Sequence, residues 1–561
     1  SAPNLVLSDG GWISYVVAGS GNGGNITVNA TSIEAKRLNP IVTLFPSGIF
    51  SVTISSGDGA DTRVSTERLT LTEGATVGSA SFLEAPQIPG VLLSSDTNRG
   101  NAGNITVNAG EFIEAIGNNP LAPDNYSGIF SVTTGNGTAG DLLLSTKRLN
   151  LREGATVSSG VLTSLSALGQ PIPGLGTGRG GNVTANISEL LEIGGRDPFL
   201  FNNSNLSTFT FGEGNAGNTI VNVPRLRILA GGTIASFSGS SGDAGTITIN
   251  SSEMLVTGVE GEDPADVAVE ARLFNQNFQQ AFFLPQVPTG NTGETIINAD
   301  RLTIADGARI SAEHEGIGNS GTLRINANQL FLESGGSITA AAASGLGGNI
   351  VLNVRDSLRL SGGSSITAEA GSTGDGGNLT IDAPTIALLG NSNINANAFE
   401  GSGGNIHITA EGLFPSADSA ITASSQLGVD GTVEVEGLDN EATTLVQLSN
   451  SLPDLTILIA SGCEEYAGSE FIVTGRGGLL PTPLESLTYI NPIVELSSPE
   501  LEVSSGTLEF QSQDLRASDR LIEATGWIQH PNGKIELVAN AGTVESSWYR
   551  SPDCQSMEGK K

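Results

Sequence analysis

The three histidines have the widest range of chemistry in this chain, because imidazole titrates near neutral pH and binds metal ions. His314, His407 and His530 lie far apart in the sequence. His407 stands at an outward position of a predicted strand, and His314, between two acids in AEHEG, is expected in a solvated turn. Neither position predicts a catalytic histidine.

Other motifs that resemble functional sites lack a part that the chemistry needs. Glu464 and Glu465 are expected to be surface charges. The GRGG segment around Arg476 lacks the Lys-Ser/Thr pair and the following helix of a phosphate loop. GDGAD at Gly57 and GDGGN at Gly374 suggest calcium but lack the repeated spacing of calcium-binding β-rolls. The sequence predicts no catalytic residue, cofactor or metal site, and we do not expect an enzyme.

Two cysteines, Cys463 and Cys554, lie in the last fifth of the chain. No Cys or His stands at metal-ligand spacing around them. In an exported protein they are expected to form a disulfide, which would stabilise the tail by about 4 kcal/mol in the chain-entropy model. The alternative is a pair of unpaired, buried thiols.

A six-residue phrase recurs along most of the chain and predicts the elements that position these residues. The phrase is GNITVN at its first occurrence, and variants follow with the same lead glycine. The lead glycines are Gly24, Gly103, Gly181, Gly217, Gly245, Gly293, Gly321, Gly348, Gly377, Gly404 and Gly431. The last five are separated by 27, 29, 27 and 27 residues. Such a period predicts one stacked supersecondary unit per repeat.

Each later repeat contains three short strands with alternating apolar positions, as in LRIN, NQLFLE and GSITAAA from Gly321 onwards. No segment between them is long enough for a crossover helix. The pattern therefore predicts an all-β protein, a right-handed parallel β-helix (solenoid) of about 12–13 coils with extruded loops and a β-rich C-terminal cap domain. Leu323 and Ile325 are predicted to point inward, and Arg324 outward.

Asparagine occupies the last position of most phrases, where successive coils would place one amide above another. We expect these side chains to form a structural ladder along one corner. The predicted ladder consists of Asn29, Asn108, Asn186, Asn222, Asn250, Asn298, Asn326 and Asn353.

Insertions interrupt the repeat. The first part of the chain has a doubled period of 79 to 81 residues, with loops predicted over 36–45, 80–100, 115–126 and 161–176. The segment from Asp263 to Leu284 lacks glycine and is predicted to be a short helix with Pro264 at its first position. Its Phe274, Phe278 and Phe282 would line one face, which either covers the flank of the solenoid or docks a partner.

Charge and hydropathy exclude some partners. The net charge is −33, from 25 basic and 58 acidic residues, so nucleic acid and anionic lipid are not expected to bind. The sequence contains no run of 18 apolar residues, so it predicts no membrane span. The opening SAPNLVLSDGGW does not have the pattern of a signal peptide, which implies a processed chain or a piece of a longer precursor.

The predicted organisation has three parts. Residues 1–22 form an N-terminal apolar segment that could cap the solenoid or add to another subunit, residues 23–437 form the repeats with a helical insertion near 263–284, and residues 438–561 form the cap domain.

The tail carries CEEYAGSEFIVTGRGGLLPTPLESL from Cys463 and LIEATGWIQHPNGKIELVA from Leu521. Together with the GGNITVNA and EGATV repeats, these segments resemble the cyanobacterial filamentous-haemagglutinin-like or S-layer-family exoproteins, adhesins of the two-partner secretion type. The chain resembles the C-terminal part of such a protein, since the N-terminal secretion domain of that family is missing. The resemblance implies export through an outer-membrane barrel and a location at the cell surface.

We therefore expect an extracellular structural or adhesive protein. Its expected partners are further copies of the chain, by homo-oligomerisation or end-to-end self-assembly into a filament, sheath or surface layer, and surface glycans or other cells. The alternatives are a carbohydrate- or metal-binding surface module and a polysaccharide-active β-helix enzyme.

Overall fold

The computed structural model describes residues 2–36, 47–82, 99–119, 122–163, 176–197, 203–259, 264–437, 526–529 and 535–538. The chain divides into two compact units, residues 1–443 and 444–561. Almost all described residues belong to the first unit. The predicted disulfide partners, Cys463 and Cys554, and most of the predicted cap domain lie outside the described residues.

The first unit is built on two long sheets whose strands are all parallel, and strands are numbered here in chain order. The first sheet has 17 strands. They are β1 (Ala2–Ser8), β3 (Ile26–Lys36), β5 (Thr62–Thr72), β7 (Ile105–Ile116), β11 (Leu142–Arg152), β13 (Val183–Gly194), β15 (Thr219–Asn222), β16 (Arg225–Ile228), β18 (Ile247–Thr257), β20 (Thr295–Ala305), β22 (Thr322–Glu333), β24 (Asn349–Ser361), β26 (Leu379–Asp382), β27 (Thr385–Leu389), β29 (Ile406–Thr409), β30 (Gly412–Pro415) and β32 (Val433–Glu436).

The second sheet has 13 strands, each of which follows a first-sheet strand in the chain. They are β2 (Trp12–Val17), β4 (Gly48–Thr53), β6 (Thr76–Ser81), β10 (Gly128–Thr133), β12 (Thr156–Val161), β14 (Ser204–Thr210), β17 (Gly232–Ser238), β19 (Asp266–Ala271), β21 (Arg309–Ile317), β23 (Ser337–Ser344), β25 (Ser365–Thr367), β28 (Asn393–Asn395) and β31 (Ala420–Thr422). We call one passage through the first and then the second sheet a coil. The described strands therefore make 13 coils, and the prediction of an all-β protein with parallel sheets is confirmed.

Three smaller elements complete the described structure. Short antiparallel pairs form between β8 (Asn118–Asn119) and β9 (Ala122–Tyr126), and in the second unit between β33 (Gly526–Gln529) and β34 (Ile535–Val538). The helix α1 spans Gln276–Ala281. Within the described residues no helix is long and apolar enough to cross a membrane.

A single apolar core runs between the two sheets. Strand alternation places Leu323 and Ile325 inward, where both are fully buried, while Arg324 between them is partly exposed. In-register stacking sets Ile325 beside Ile297 in the preceding coil and Leu352 in the next. Each fully buried Leu or Ile contributes about 1.5–3 kcal/mol relative to an exposed side chain.

The first two predicted strands of a repeat are one continuous strand in most coils. LRIN and NQLFLE, for example, both belong to β22, with an irregularity in its pairing between Ala327 and Gln329. The strand divides where proline removes a ladder N–H, at Pro224 between β15 and β16 and at Pro384 between β26 and β27. A tight turn then leads to the second sheet, with Ser334 and Gly335 at φ 50° and 78° in one repeat.

The N-terminal segment contributes the first described strand to each sheet. β1 pairs with β3 and β2 pairs with β4, so residues 2–17 form the first coil. They continue both sheets in register, because NLVL and WISYVV carry the same alternation as the later strands.

The predicted helix over 263–284 is wrong in its first half. Residues Asp266–Ala271 form β19, which pairs with β17 and β21. The β-branched Val267 and Val269 point into the core, and the neighbouring strands supply hydrogen bonds along the whole segment. The helix is confined to Gln276–Ala281, and its N-cap is Asn275, whose side chain accepts a hydrogen bond from the Phe278 N–H at 3.0 Å.

Three of the four predicted loops fall mainly outside the described residues, whereas 115–126 is largely described and contains the antiparallel pair β8 and β9. The described strand ends place two of them, 36–45 and 115–126, between a first-sheet and a second-sheet strand. The other two, 80–100 and 161–176, connect the second sheet back to the first. The insertions therefore leave the coils at two corners.

Candidate functional site

Six of the predicted ladder asparagines form one hydrogen-bonded column along the first sheet. Each side-chain amide donates to the side-chain oxygen in the preceding coil, and every bond is 2.8 Å long. The column runs through Asn186, Asn222, Asn250, Asn298, Asn326 and Asn353. Three of these side chains are exposed and three are half-buried, so the column is part of the surface.

Asn29 and Asn108 belong to the same column but do not contact each other. Ser65 lies between them, and Ser145 separates Asn108 from Asn186. The coils that begin with TRVS and LLLS replace the amide by a hydroxyl, because the doubled period alternates two kinds of coil in this part of the chain. The continuous amide ladder therefore begins at Asn186.

The asparagine column lines a shallow groove along the first sheet from Asn250 to Asn353. This groove has a volume of about 770 Å³, with Asn298, Asn326, Asp300 and Arg355 in its wall. A separate pocket of about 720 Å³ lies along the early coils, where Asn29, Ser65 and Asn108 contribute. The groove offers amide, hydroxyl and charged groups side by side, which suits hydrogen bonding to a polar chain rather than covalent chemistry.

A second column of polar side chains was not predicted. The asparagine after the lead glycine accepts a hydrogen bond from the backbone N–H of the next coil, as Asn182 does from Asn218 at 2.9 Å and Asn218 does from Thr246 at 2.9 Å. The signal for it was the second letter of the repeated phrase, which is Asn in most repeats.

The three phenylalanines of the insertion pack against the outward face of the second sheet. The ring centroid of Phe211 lies 5.3–5.4 Å from the ring centroids of Phe274, Phe278 and Phe282. Phe274 also contacts Phe237, at 6.3 Å between centroids. This aromatic cluster covers the flank of the coils, so the rings are partly buried within the chain. The geometry favours the covering interpretation over a docking patch.

A charged cluster that sequence reasoning missed lies beside these aromatics, on the outward face of β19 and β21. The Arg309 guanidinium is 2.9 Å from the Asp266 carboxylate and 3.5 Å from that of Glu270. It also lies 3.5 Å from Glu313 on its own strand. The three acidic side chains are only 12–20% exposed. We call these four residues the Arg309 cluster.

Burial changes the protonation of the Arg309 cluster. Loss of solvent, followed by the nearby charge of Asp266, raises the pKa of Glu270 to about 7. Burial also raises the pKa of Asp266 and of Glu313, although Arg309 opposes both shifts. Asp266 Oδ1, Arg309 Nε and Ser311 Oγ are buried and have no hydrogen-bond partner among the described residues.

In the next coil, small side chains stand at the positions of the Arg309 cluster. Ser337 and Ala341 stand there where Arg309 and Glu313 stand in this coil. The detectable signal was therefore a pair of strands with charges four residues apart, DVAVE and RISAE. Because its pKa is raised to about 7, Glu270 can exchange a proton near neutral pH. The four residues also form a buried ion-pair network whose desolvation is costly.

The histidines occupy two kinds of environment. His314 is buried in β21, contrary to the predicted solvated turn, because alternation on this strand turns it inward. Its Nδ1 accepts from the Gly316 N–H and its Nε2 donates to the Gly290 oxygen, both at 3.1 Å, and burial lowers its pKa. His407 lies on the outward face of β29 as predicted, and His530 is outside the described residues.

The chain matches no protein-family model, no curated protein and no solved structure.

Proposed function

We propose that this chain is an extracellular structural and adhesive β-solenoid, a right-handed parallel β-helix with extruded loops and a C-terminal cap. The proposed role is non-catalytic: the coils hold a long polar surface at the cell surface, where it attaches to glycans or to further copies of the chain. The resemblance of the repeats and tail to filamentous-haemagglutinin-like exoproteins points in the same direction. It also suggests export through an outer-membrane barrel.

One observation carries this proposal, the in-register stacking of 13 coils, which repeats one amide along six successive coils. Strand pairing sets the coils ~4.8 Å apart, so any surface column repeats one group at that interval. The column from Asn186 to Asn353 is such a surface. An extended array of weak, identical contacts favours attachment through many simultaneous interactions.

An attachment assay tests the adhesive role. Beads coated with the full chain are allowed to settle on surfaces that carry immobilised polysaccharides, and the fraction retained under flow is measured. We expect retention several times that of albumin-coated beads and competition by soluble chain. Equal retention of the two kinds of bead across neutral and acidic polysaccharides would refute the adhesive role.

Self-assembly is the second part of the proposal. β1 and β2 each pair on one side among the described residues, and Val6, Trp12 and Val16 of this coil are 43–56% exposed. A further coil would extend both sheets there by strand addition, whether it comes from another copy or from an adjoining part of the same polypeptide.

Electron microscopy of the full chain tests assembly. We expect fibres from the unmodified chain and single particles from the double variant Val6→Lys with Trp12→Lys, since edge lysines oppose strand addition. Leu143→Lys is the matched control, because this leucine is exposed on the flank of a central coil. Single particles from all three chains would contradict end-to-end assembly and leave the attachment assay to decide the adhesive role.

The groove along the asparagine column supports carbohydrate binding as the alternative function. Arg355 and Asp300 provide charge beside the amides, an arrangement suited to sugar hydroxyls. In a glycan array, Arg355→Ala is expected to weaken binding about tenfold. Arg324→Ala, which removes an arginine outside the groove, is expected to leave binding unchanged. Equal effects of the two variants would contradict a ligand in the groove.

A further inference from the structure

At the end of the described stack, the neighbouring strands β29 and β32 bring one histidine and two glutamates together on the outward face of the first sheet. His407 of β29 is directly paired in register with Glu434 of β32. Glu436 lies two residues further along β32 and therefore points to the same side. Their ligand atoms all lie within 4.8 Å of one another.

The separations match the requirements of a transition-metal site. The His407 Nδ1 atom is 3.5 Å from Glu434 Oε2. Ligands held at zinc distances of about 2.0–2.2 Å stand roughly 3.4 Å apart around a tetrahedral ion. The histidine and the first glutamate are thus already one tetrahedral edge apart, and a ligand atom of Glu436 lies within 4.8 Å of both.

We propose that His407, Glu434 and Glu436 bind a divalent transition-metal ion, with Zn²⁺ the best match. One imidazole nitrogen and two carboxylate oxygens suit zinc, whereas calcium and magnesium prefer oxygen ligands alone. His407 is 41% exposed and Glu434 65% exposed, so a fourth position stays open to water or to a group from another molecule. The net charge of −33 raises the local concentration of cations.

An ion pair between His407 and Glu434 is the competing explanation for their proximity. Two features separate it from a metal site. The ion pair needs a protonated imidazole and has no role for Glu436. The metal site needs a neutral imidazole and loses a ligand when Glu436 is replaced. The proposal is independent of the adhesive role.

Isothermal titration of ZnCl₂ into the full chain at pH 7.5 tests the site. Cysteines and His530 elsewhere in the chain are potential zinc ligands, so the number of zinc ions bound is compared between variants. We expect His407→Gln and Glu434→Gln to lose one zinc equivalent relative to the unmodified chain. We expect Glu436→Gln to weaken the affinity for that zinc ion at least tenfold. CaCl₂ should not compete for the site.

The matched control is Glu294→Gln, which removes a carboxylate just before β20, where it lies 3.5 Å from the Arg324 guanidinium. We expect it to bind zinc like the unmodified chain. Circular dichroism checks that every variant keeps its strand content. Unchanged zinc binding in His407→Gln would overturn the proposal, and unchanged binding in Glu436→Gln would overturn the three-ligand site.

Discussion

At the scale of single residues, the lead glycine of the phrase and the charges of the Arg309 cluster have roles that come from neighbouring coils. A Cβ atom added to Gly245 would lie far inside van der Waals distance of the Gly217 carbonyl oxygen. The same holds along the column, where each lead glycine from Gly217 onwards contacts its counterpart in the coil before. The repeated glycine is therefore required by close backbone approach.

Gly245→Ala should therefore destabilise the chain by about 2–4 kcal/mol, because two backbones must move apart. Gly19→Ala is the control, since an added Cβ there meets no atom within 4 Å. Urea unfolding measures both. Equal stability of the two variants would show that the coils can separate without cost.

Glu270→Gln should change how stability depends on pH. The folded state raises the pKa of Glu270 from 4.5 to about 7, so between these values the folded chain holds a proton that the unfolded chain has lost. The stability that this bound proton contributes to the folded chain is therefore complete below pH 4.5 and disappears as the pH rises through 7. The neutral amide should raise the free energy of unfolding at pH 8 by roughly 2–3 kcal/mol and leave it unchanged at pH 4.5.

Urea unfolding at pH 4.5 and pH 8 checks this expectation, with the exposed Glu411→Gln as control. A Glu270→Gln chain that is less stable than the unmodified chain at pH 8 would mean that the ionised carboxylate is needed by Arg309.

At the scale of elements, the insertion after β19 is held mainly by aromatic packing. Phe211 contacts all three phenylalanines of the insertion, while α1 itself has only 6 residues and no buried residue. An isolated helix of this length is unstable in water, so its order depends on the rings beneath it.

Phe211→Ala should release the insertion and leave the coils folded. We expect protease cleavage between Leu273 and Val287 to accelerate at least tenfold, with little change in strand content by circular dichroism. Phe331→Ala serves as the control, because this ring lies on the first sheet, where Arg301 stacks over it at 4.5 Å. Similar cleavage of the two variants would show that the capped helix holds itself in place.

At the scale of the whole molecule, a stack of coils has mainly nearest-neighbour contacts, so damage should stay local. Ile325 is fully buried between Ile297 and Leu352. Ile325→Ala should cost about 2–5 kcal/mol from lost burial and a residual cavity.

Hydrogen exchange read by mass spectrometry should show lost protection in the coils next to Ile325→Ala and unchanged protection near β5 and β7. Arg324→Ala, on the outward face, should leave exchange unchanged throughout. Uniform loss of protection along all coils would indicate that the stack unfolds as a single unit.

The sequence by itself determined the repeated local structure. The alternation in LRIN gave both the strand and its buried face, and the phrase located Asn298 and Asn326 in one column, because strand period and coil period are local properties. The sequence could not decide whether residues 266–271 would form a β-strand or a helix. Segments such as DVAVEARLF fit both, and the neighbouring strands β17 and β21 settled the choice.

Only the tertiary structure decided which distant residues meet. Asp266 and Arg309 are 43 residues apart, and an insertion that does not follow the repeat lies between their strands. Phe211 meets Phe278 for the same reason, and His407 meets Glu434 and Glu436 only once the register of the last coil is set. Strand patterns specify what each coil buries, whereas the lengths of the connections between coils determine what lies side by side on the surface.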